Sequence, residues 1–235
     1  MTGVQTCALP ISLRQQLEET RSTGAKFVVV ESIFSMDGDE APLAAYAELC
    51  RETRAALIVD EAHAVGIYGE RGSGLIEAAG VSDGVFLSIN TAGKALGVSG
   101  AFVAGDENSI EYLLQRARPF IFSTAAVPAV AAAIEAALDI VEQEPQRRKR
   151  VLAIARRLRQ RLGMSGCSQI VPVHIGENER AVAVAETLQA AGFDVRAVRP
   201  PTVPAGTARL RVSLNDGLSE AVVDQFAAAL EKALS

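Results

Sequence analysis

The feature that most constrains the fold is a short apolar run that is followed by a helical pattern and then by a second apolar run. Phe27–Val30 (FVVV) has the β-branched content of a strand that is buried on both faces. Pro42–Arg54 has helical spacing, and Leu57–Val59 is the second run, which ends at Asp60. Strand, helix and strand in this order make a βαβ unit with parallel strands. The sequence therefore predicts an α/β fold with a mostly parallel sheet.

The remaining apolar patterns predict further strands and helices, and the spacing of these elements changes after Gly163. Short strands and helices alternate there, which indicates a small α+β domain. The predicted strands are 85–88, 101–104, 170–174, 195–198 and 210–214, and the predicted helices are 107–117, 127–142, 146–162, 179–190 and 219–234.

The domain organisation follows from these patterns and from a helix interruption at Pro145. Residues 12–145 are predicted to form a partial large domain, and residues 146–235 a small C-terminal domain. Residues 1–11 (MTGVQTCALPI) have no clear periodicity, so we predict that they are an artefactual, non-native segment.

Charge, cysteines, apolar runs and histidines give no reason to expect several kinds of partner or site. The formal net charge of −5 gives no reason to expect nucleic acid or an anionic membrane surface. The three cysteines form no disulfide pattern, which fits a reducing cytoplasm. No apolar run is long enough to span a membrane. No metal site is predicted, because His63 and His174 lie far apart with no ligand cluster around them.

Reactive side chains follow three of the predicted strands. The first strand leads to Ser35, the second ends at Asp60 with His63 close behind, and the third leads to Thr91 and Lys94. Because ligands in open α/β sheets bind beyond the carboxyl ends of the strands, these groups are expected to share one site. Each also has a plain structural interpretation: Asp60 as a turn cap, Ser35 as a turn residue, and His63 and Lys94 as ordinary surface side chains.

Two phosphate-loop motifs are incomplete in this sequence. Thr91-Ala92-Gly93-Lys94 has Ala95 where a P-loop needs Ser or Thr, and Ser88 where it needs its first glycine. A dinucleotide fingerprint that starts at Gly72 has Glu77 in place of its third glycine. A nucleotide-binding module is therefore disfavoured.

Four segments resemble, in this order, the conserved blocks of the α-oxoamine synthases, a group of fold-type I enzymes that use pyridoxal 5'-phosphate (PLP). The resemblance runs from about Leu13 to the C-terminus, and four ordered blocks are far more specific than any single one. The segments are ESIFSMDGDEAPL, LIVDEAHAVGIYGERGSG, NTAGKALGVSGAFVAG and RPPTVPAGTARLRVSLN.

The resemblance implies a PLP-dependent transferase of fold type I and a set of cofactor contacts. Lys94 would form the imine with the pyridoxal aldehyde, and Asp60 would keep the pyridine nitrogen protonated so that the ring draws electrons. His63 would hydrogen-bond the ring's phenolic oxygen, Ser35 would contact the cofactor, and Thr91 would bind its phosphate. Lys94, Asp60 and His63 are thus the predicted catalytic residues.

The resemblance also implies a substrate site. Arg211 would hold the amino-acid carboxylate with its planar guanidinium, and Thr202 would contact the substrate. Arg209 projects to the same face of its strand, and the sequence does not choose between the two arginines.

The implied activity is that of an acyltransferase that releases carbon dioxide. Arg199–Asn215 most resembles the members that condense L-alanine with pimeloyl-CoA or a pimeloyl carrier protein to 8-amino-7-oxononanoate in biotin biosynthesis. Glycine C-acetyltransferase, 5-aminolevulinate synthase and serine palmitoyltransferase share the Lys94 and Asp60 motifs, so they stay as alternatives. A non-catalytic partner subunit of the same fold is disfavoured, because a silent subunit need not keep Lys94, Asp60 and His63.

The family chain has a substantial N-terminal portion that is not found before Leu13. In the family that portion carries a glycine-rich substrate loop, part of the phosphate site and much of a homodimer interface. The resemblance therefore implies a truncated chain that binds PLP weakly and has little activity alone, and a homodimer for the full-length protein.

Overall fold

The predicted βαβ unit is present in the structure, a computed structural model that describes residues 9–20 and 24–235. It belongs to a first set of elements that runs up to Gln143. In chain order these are α1 (Pro10–Glu19), β1 (Lys26–Glu31), α2 (Leu43–Thr53), β2 (Ala55–Asp60), α3 (Leu75–Ala79), a 3-10 turn (Ser82–Gly84), β3 (Leu87–Thr91), β4 (Ala101–Gly105), α4 (Glu107–Arg116), α5 (Arg118–Ile121) and α6 (Pro128–Gln143).

The first sheet has the order β1-β2-β3-β4. β1 pairs with β2 in parallel, β2 pairs with β3 in parallel, and β4 returns antiparallel to β3. The prediction of a mostly parallel α/β sheet is therefore confirmed. β3 lies further along the chain than the predicted 85–88, because its polar residues Ser88, Asn90 and Thr91 belong to the strand although they interrupt the apolar pattern.

The prediction that the first strand is buried on both faces is wrong. Val28 is buried, but Phe27 and Val29 are 55% and 67% exposed. Successive side chains of a strand alternate between faces, so Val28 faces one side and its two neighbours face the other. Phe27 instead contacts Phe86, with 6.3 Å between the ring centroids.

The helix between the two strands packs through a regular apolar stripe. Leu43, Tyr46, Leu49 and Cys50 of α2 are each 2% exposed. They follow the spacing of one helix face, which is why this segment folds as a helix beside the sheet. The helix begins directly after Pro42 and ends at Thr53, and the next residue, Arg54, adopts a left-handed backbone conformation (φ 53°).

A second set of elements follows a helix that begins at Pro145. Its sheet has the order β5-β7-β6, and both pairs are antiparallel. The elements are α7 (Pro145–Leu162), β5 (Ile170–Gly176), α8 (Asn178–Ala190), β6 (Ala197–Val198), β7 (Ala208–Ser213) and α9 (Glu220–Leu234).

This second sheet packs against helices around a core of its own. Leu158 of α7, Leu188 of α8, Leu210 of β7 and Leu230 of α9 belong to one buried cluster, and each is 0% exposed. Burying a leucine side chain contributes about 1.5–3 kcal/mol, so these four positions are a large part of the stability of this α+β arrangement.

The chain divides into two compact units. Unit 1 comprises the described residues up to Phe34 and Glu40–Pro145, and unit 2 comprises Ser35–Asp39 and Gln146–Ser235. The loop after β1 thus groups with the C-terminal part of the chain. The division into domains of residues 12–145 and 146–235 stays a prediction, because a domain is defined by folding on its own.

The predicted artefactual segment, residues 1–11, falls mostly outside the described residues and stays a prediction. Its last two residues, Pro10 and Ile11, form the start of α1. Within residues 9–20 and 24–235, no helix has both the length and the apolar character that crossing a membrane requires.

The two described cysteines are expected to differ in thiol reactivity. Burial raises the pKa of Cys50, whereas Cys167 is exposed. Because the thiolate is the reactive form and must be reached by the reagent, iodoacetamide should modify Cys167 at least about tenfold faster than Cys50. Peptide mass spectrometry over a time course measures both rates in one sample. Equal rates under native conditions would contradict the packing of α2.

Candidate active site

The carboxyl ends of the parallel strands β2 and β3 carry the predicted cofactor residues of unit 1. The last residue of β1, Glu31, pairs with Asp60, and Asp60 pairs with Ile89 on β3. Thr91, the last residue of β3, lies two positions beyond Ile89. The register therefore places Asp60 and Thr91 at the same edge of the sheet, where open α/β sheets bind their ligands.

Asp60 is held at this edge by its own turn. Its Oδ1 accepts a hydrogen bond from the Ala62 N–H at 2.8 Å. A carboxylate has two oxygens, so this cap leaves acceptor capacity for a ligand N–H. His63 is half-buried in the same turn, three residues after Asp60. The cap interpretation and the functional interpretation of Asp60 are therefore compatible.

Thr91 has a buried hydroxyl with no partner. Among the residues that the structure describes, no hydrogen-bonding group lies within reach of its Oγ1. A buried polar atom without a partner is unfavourable, so it needs a partner that none of the described residues supplies. A phosphate oxygen accepts hydrogen bonds from a hydroxyl, and this position fits the predicted phosphate contact of PLP.

Lys94 lies in a tight turn between β3 and β4. The Ala92 N–H donates to the Gly100 carbonyl at 2.9 Å, and the Gly97 N–H donates to the Lys94 carbonyl at 3.1 Å. Lys94 is exposed. A side chain added at Gly93 or Gly97 would meet nothing within 4 Å, so there is open space along this turn. The turn thus presents the amine beside room for a flat ligand.

Glu61 is a buried acid that the sequence pattern did not reveal as an anchor. It is 1% exposed, and its carboxylate accepts hydrogen bonds from Ser32 Oγ at 2.6 Å and from the N–H groups of Leu75 and Ile76 at 3.0 and 2.6 Å. A side chain at Gly74 would lie 2.6 Å from this carboxylate. Glu61 therefore ties the segment after Asp60 to the end of β1 and to the start of α3.

The electrostatics of Glu61 combine two opposing effects. Burial raises its pKa, the three hydrogen bonds lower it, and the charge of the adjacent Asp60 raises it; the net result is a raised pKa. In the sequence, the only indication of a role for Glu61 is its position directly after Asp60, at the end of a predicted strand. That position does not identify Ser32 or the N–H groups of α3 as its partners.

The remaining predicted site residues lie in unit 2. Arg211 Nε donates to the Ser35 carbonyl at 2.5 Å, and its Nη1 donates to Ser213 Oγ at 2.7 Å. The structure thus brings Ser35 and Arg211 into direct contact. Thr202 is exposed in the connection between β6 and β7, and its N–H donates to the Arg199 carbonyl at 3.0 Å.

Arg209 differs from Arg211 in its surroundings. It is 5% exposed, and its guanidinium forms an ion pair with Asp37. Its Nε and Nη2 also donate to the carbonyl and the hydroxyl of Thr207, at 3.0 and 3.1 Å. These contacts distinguish two arginines that the strand pattern alone left equivalent.

Comparison with known proteins agrees with this architecture. The model of the aminotransferase class I and II family matches residues 11–230. The 8-amino-7-oxononanoate synthase of Anaeromyxobacter dehalogenans (strain 2CP-C) is 51% identical over 215 residues, which are 89% of this chain and 54% of the relative. The solved Sphingomonas wittichii serine palmitoyltransferase is 31% identical with a TM-score of 0.91, and the match covers 96% of this chain and 59% of that one.

The chain belongs to the aminotransferase class I and II family. A solved 8-amino-7-oxononanoate synthase from Francisella tularensis also superposes, with a TM-score of 0.81, 26% identity and coverage of 94% of this chain and 65% of that chain. The predicted fold-type I class and the resemblance to the α-oxoamine synthases are thereby confirmed. The chain spans little more than half the length of the curated relatives that it matches.

Replacing Glu61 is expected to remove a pH dependence of stability. Because burial raises its pKa above the ordinary value of 4.5, the folded chain holds this proton more tightly than the unfolded chain. The contribution of Glu61 to stability is complete below pH 4.5 and is lost as the pH rises through the raised pKa. Relative to Glu61→Gln, the wild-type free energy of unfolding in urea should therefore fall as the pH rises.

Glu77 provides a matched control with the opposite sign. Burial raises its pKa, but hydrogen bonds from the N–H groups of Arg71 and Ser73 outweigh burial and lower it. Wild type should therefore lose stability relative to Glu77→Gln as the pH falls below 4.5. Parallel pH curves for wild type and Glu61→Gln would contradict the burial of the Glu61 carboxylate.

Proposed function

We propose that this chain belongs to a PLP-dependent acyltransferase that condenses L-alanine with a pimeloyl thioester and releases carbon dioxide, giving 8-amino-7-oxononanoate. The observation that carries the proposal is the buried hydroxyl of Thr91, which has no partner among residues 9–20 and 24–235 and lies at the sheet edge that also holds Asp60. The identity of 51% to a relative named 8-amino-7-oxononanoate synthase supports the choice of reaction.

In this proposal Lys94 and three further residues of unit 1 would hold the cofactor. Thr91 Oγ1 donates to the phosphate, Asp60 accepts from the pyridine N–H, and His63 donates to the phenolic oxygen. Bound PLP supplies an electron-withdrawing ring that makes the α-proton of an amino acid acidic. Asp60 has a specific role in this chemistry, because a carboxylate beside the ring nitrogen stabilises the protonated form of the ring.

The Lys94 amine has two tasks in this proposal. It would hold the aldehyde of bound PLP covalently, and as a free amine it would accept the α-proton of the amino acid and return a proton to the product carbon. A lysine suits both tasks because its four-carbon stem lets one nitrogen reach neighbouring atoms in turn. The open space beside Gly93 and Gly97 is consistent with such movement.

For the amino-acid carboxylate we propose Arg211 and not Arg209. Asp37 already neutralises Arg209, whose guanidinium is buried and also hydrogen-bonded to Thr207. The Nε and Nη1 of Arg211 donate to uncharged groups, the Ser35 carbonyl and the Ser213 hydroxyl. A carboxylate ligand would have to compete with Asp37 for Arg209, and the resemblance gives this role to Arg211. We keep Ser35 as a cofactor contact and Thr202 as a substrate contact by resemblance.

Serine palmitoyltransferase activity is the second candidate, because the superposition on such an enzyme has the higher TM-score of 0.91. Backbone similarity follows the fold, whereas substrate choice depends on side chains, so the higher sequence identity favours the alanine-using reaction. We further propose a homodimer in the cytoplasm. The acyl donor is carried by coenzyme A or by a carrier protein.

Reductive trapping tests the cofactor site without requiring turnover. PLP and borohydride are added to the chain, and the modified lysine is located by peptide mass spectrometry. Lys94 should be labelled at PLP concentrations at least about tenfold below those that label Lys26, Lys149 or Lys232, because only Lys94 gains from a phosphate and a ring contact. Lys94→Ala should lose this label and Lys149→Ala should keep it. Equal labelling of all lysines would exclude the proposed site.

Substrate kinetics of the complete gene product test the reaction and the role of Arg211. Alanine with a pimeloyl thioester should be preferred over glycine, serine and other acyl thioesters. Losing a charge-assisted bidentate contact costs about 1.5–3 kcal/mol, so Arg211→Met should raise the KM for alanine roughly 10- to 100-fold. Arg196→Met removes an exposed arginine of the same unit and should leave this KM unchanged. A preference for serine and palmitoyl thioester would support the second candidate.

A further inference from the structure

We propose that Asp37 is a positioning residue that, by pairing with Arg209, holds Ser35 and Arg211 in the arrangement that receives the amino-acid carboxylate. This inference rests on the proposed function of Arg211. It concerns residues of unit 2 alone, in the segment Ser35–Asp39 and the strand β7.

The two arginines lie on one face of the second sheet. Arg209 and Arg211 are two positions apart on β7, so their side chains project to the same side. Arg209 pairs in the sheet with His174 of β5, and Arg211 pairs with Pro172. Both guanidinium groups contact the segment that follows β1: Arg211 contacts the Ser35 carbonyl and Arg209 contacts the Asp37 carboxylate.

The segment is fixed between these contacts by a close backbone approach. Gly38 has φ +72°, and a Cβ there would lie 2.4 Å from Ser168 Oγ and 2.6 Å from the Ile170 carbonyl oxygen. Only glycine fits this position, both because of its backbone conformation and because of its contact with the start of β5. Ser35–Asp39 is therefore seated on the second sheet at three successive points.

Charge explains why Asp37 matters in this arrangement. The side chain of Arg209 is only 6% exposed, so its positive charge needs a compensating group, and Asp37 is its ion-pair partner. His174 also faces Asp37, with Nε2 3.6 Å from Oδ1, but its side chain is 56% exposed and the pair contributes little. Asp37 thus neutralises the buried charge of Arg209 and ties the segment to β7.

Arg209 and Arg211 therefore have different roles in this arrangement. Arg209 with Asp37 fixes the segment, and the fixed segment keeps the Ser35 carbonyl at the Nε of Arg211. The planar guanidinium of Arg211 is then oriented before the substrate arrives, and less ordering is needed on binding. Asp37 acts only through Arg209, so its effect should depend on the presence of Arg209.

The first test measures the segment directly in the chain without cofactor. In Asp37→Asn, amide hydrogen exchange of residues 35–39 should become at least about tenfold faster, because local opening no longer breaks the ion pair. Asp39→Asn changes an exposed acid of the same segment and should leave the exchange rates unchanged. Equal exchange in wild type and Asp37→Asn would overturn the proposal.

The second test is a double-mutant cycle on the complete gene product with PLP. Asp37→Asn should raise the KM for the amino acid about tenfold and leave the KM for the acyl thioester within about twofold. In the Arg209→Met background, Asp37→Asn should change the amino-acid KM less than about twofold, since its partner is absent. Additive effects of the two substitutions, or equal rises in both KM values, would contradict a role through Arg209.

The two tests also separate this inference from the proposed function. If wild type binds no amino acid, the proposed function fails, and hydrogen exchange alone decides whether Asp37 holds the segment. If Asp37→Asn does not fold because Arg209 is left buried without its partner, the variant Asp37→Asn/Arg209→Met removes that charge and should fold. A double variant that is no more stable than Asp37→Asn would count against the proposal.

Discussion

The parallel pairing of β1, β2 and β3 is the constraint on which the candidate site depends. Parallel strands end at the same edge, so residues that follow separate strands come together although they are about 30 positions apart in the chain. Asp60 and Thr91 reach one edge in this way, through the register that joins Asp60 to Ile89. An antiparallel pairing of β2 with β3 would have sent Thr91 to the opposite edge and left its hydroxyl far from Asp60.

Buried charged groups then fix the segments that leave this sheet and the second one. In unit 1, Glu61 joins the turn after Asp60 to Ser32 and to the start of α3. In unit 2, Arg209 joins β7 to Asp37. A buried carboxylate or guanidinium is unfavourable without partners, so each one requires a defined arrangement of its neighbours. A buried charged group therefore fixes the positions of its neighbours, although it lowers the stability of the fold. This arrangement suits the segments that carry site residues.

Much of the fold could be predicted from periodicity, because core-facing residues must repeat at the period of their element. The βαβ unit and the longer helices α4 and α6 to α9 followed from this rule, whereas the four-residue α5 was not predicted. The exposure of Phe27 and Val29 did not, since an apolar run does not tell which faces are covered. The position of β3 was missed because Asn90 and Thr91 are polar residues inside a strand, where the site and not the core determines the residue type.

The sequence was also insufficient to identify the contacts of individual residues of the candidate site. The resemblance of four segments supplied Lys94, Asp60, His63, Thr91 and Arg211 by residue type and order. Strand alternation gives Arg209 and Arg211 the same face, so the strand pattern left them equivalent, and the contacts of Arg209 with Asp37 and Thr207 separate their surroundings. The anchoring role of Glu61 also needed three-dimensional information, since its partners at Ser32, Leu75 and Ile76 are distant in sequence.

The most direct measurement of the central claim is a crystal structure of the complete gene product grown with PLP. The account predicts a phosphate oxygen at about 3 Å from Thr91 Oγ1 and the pyridine nitrogen at about 2.7–3 Å from a carboxylate oxygen of Asp60. PLP bound at another place, with the Thr91 hydroxyl still without a partner, would contradict it.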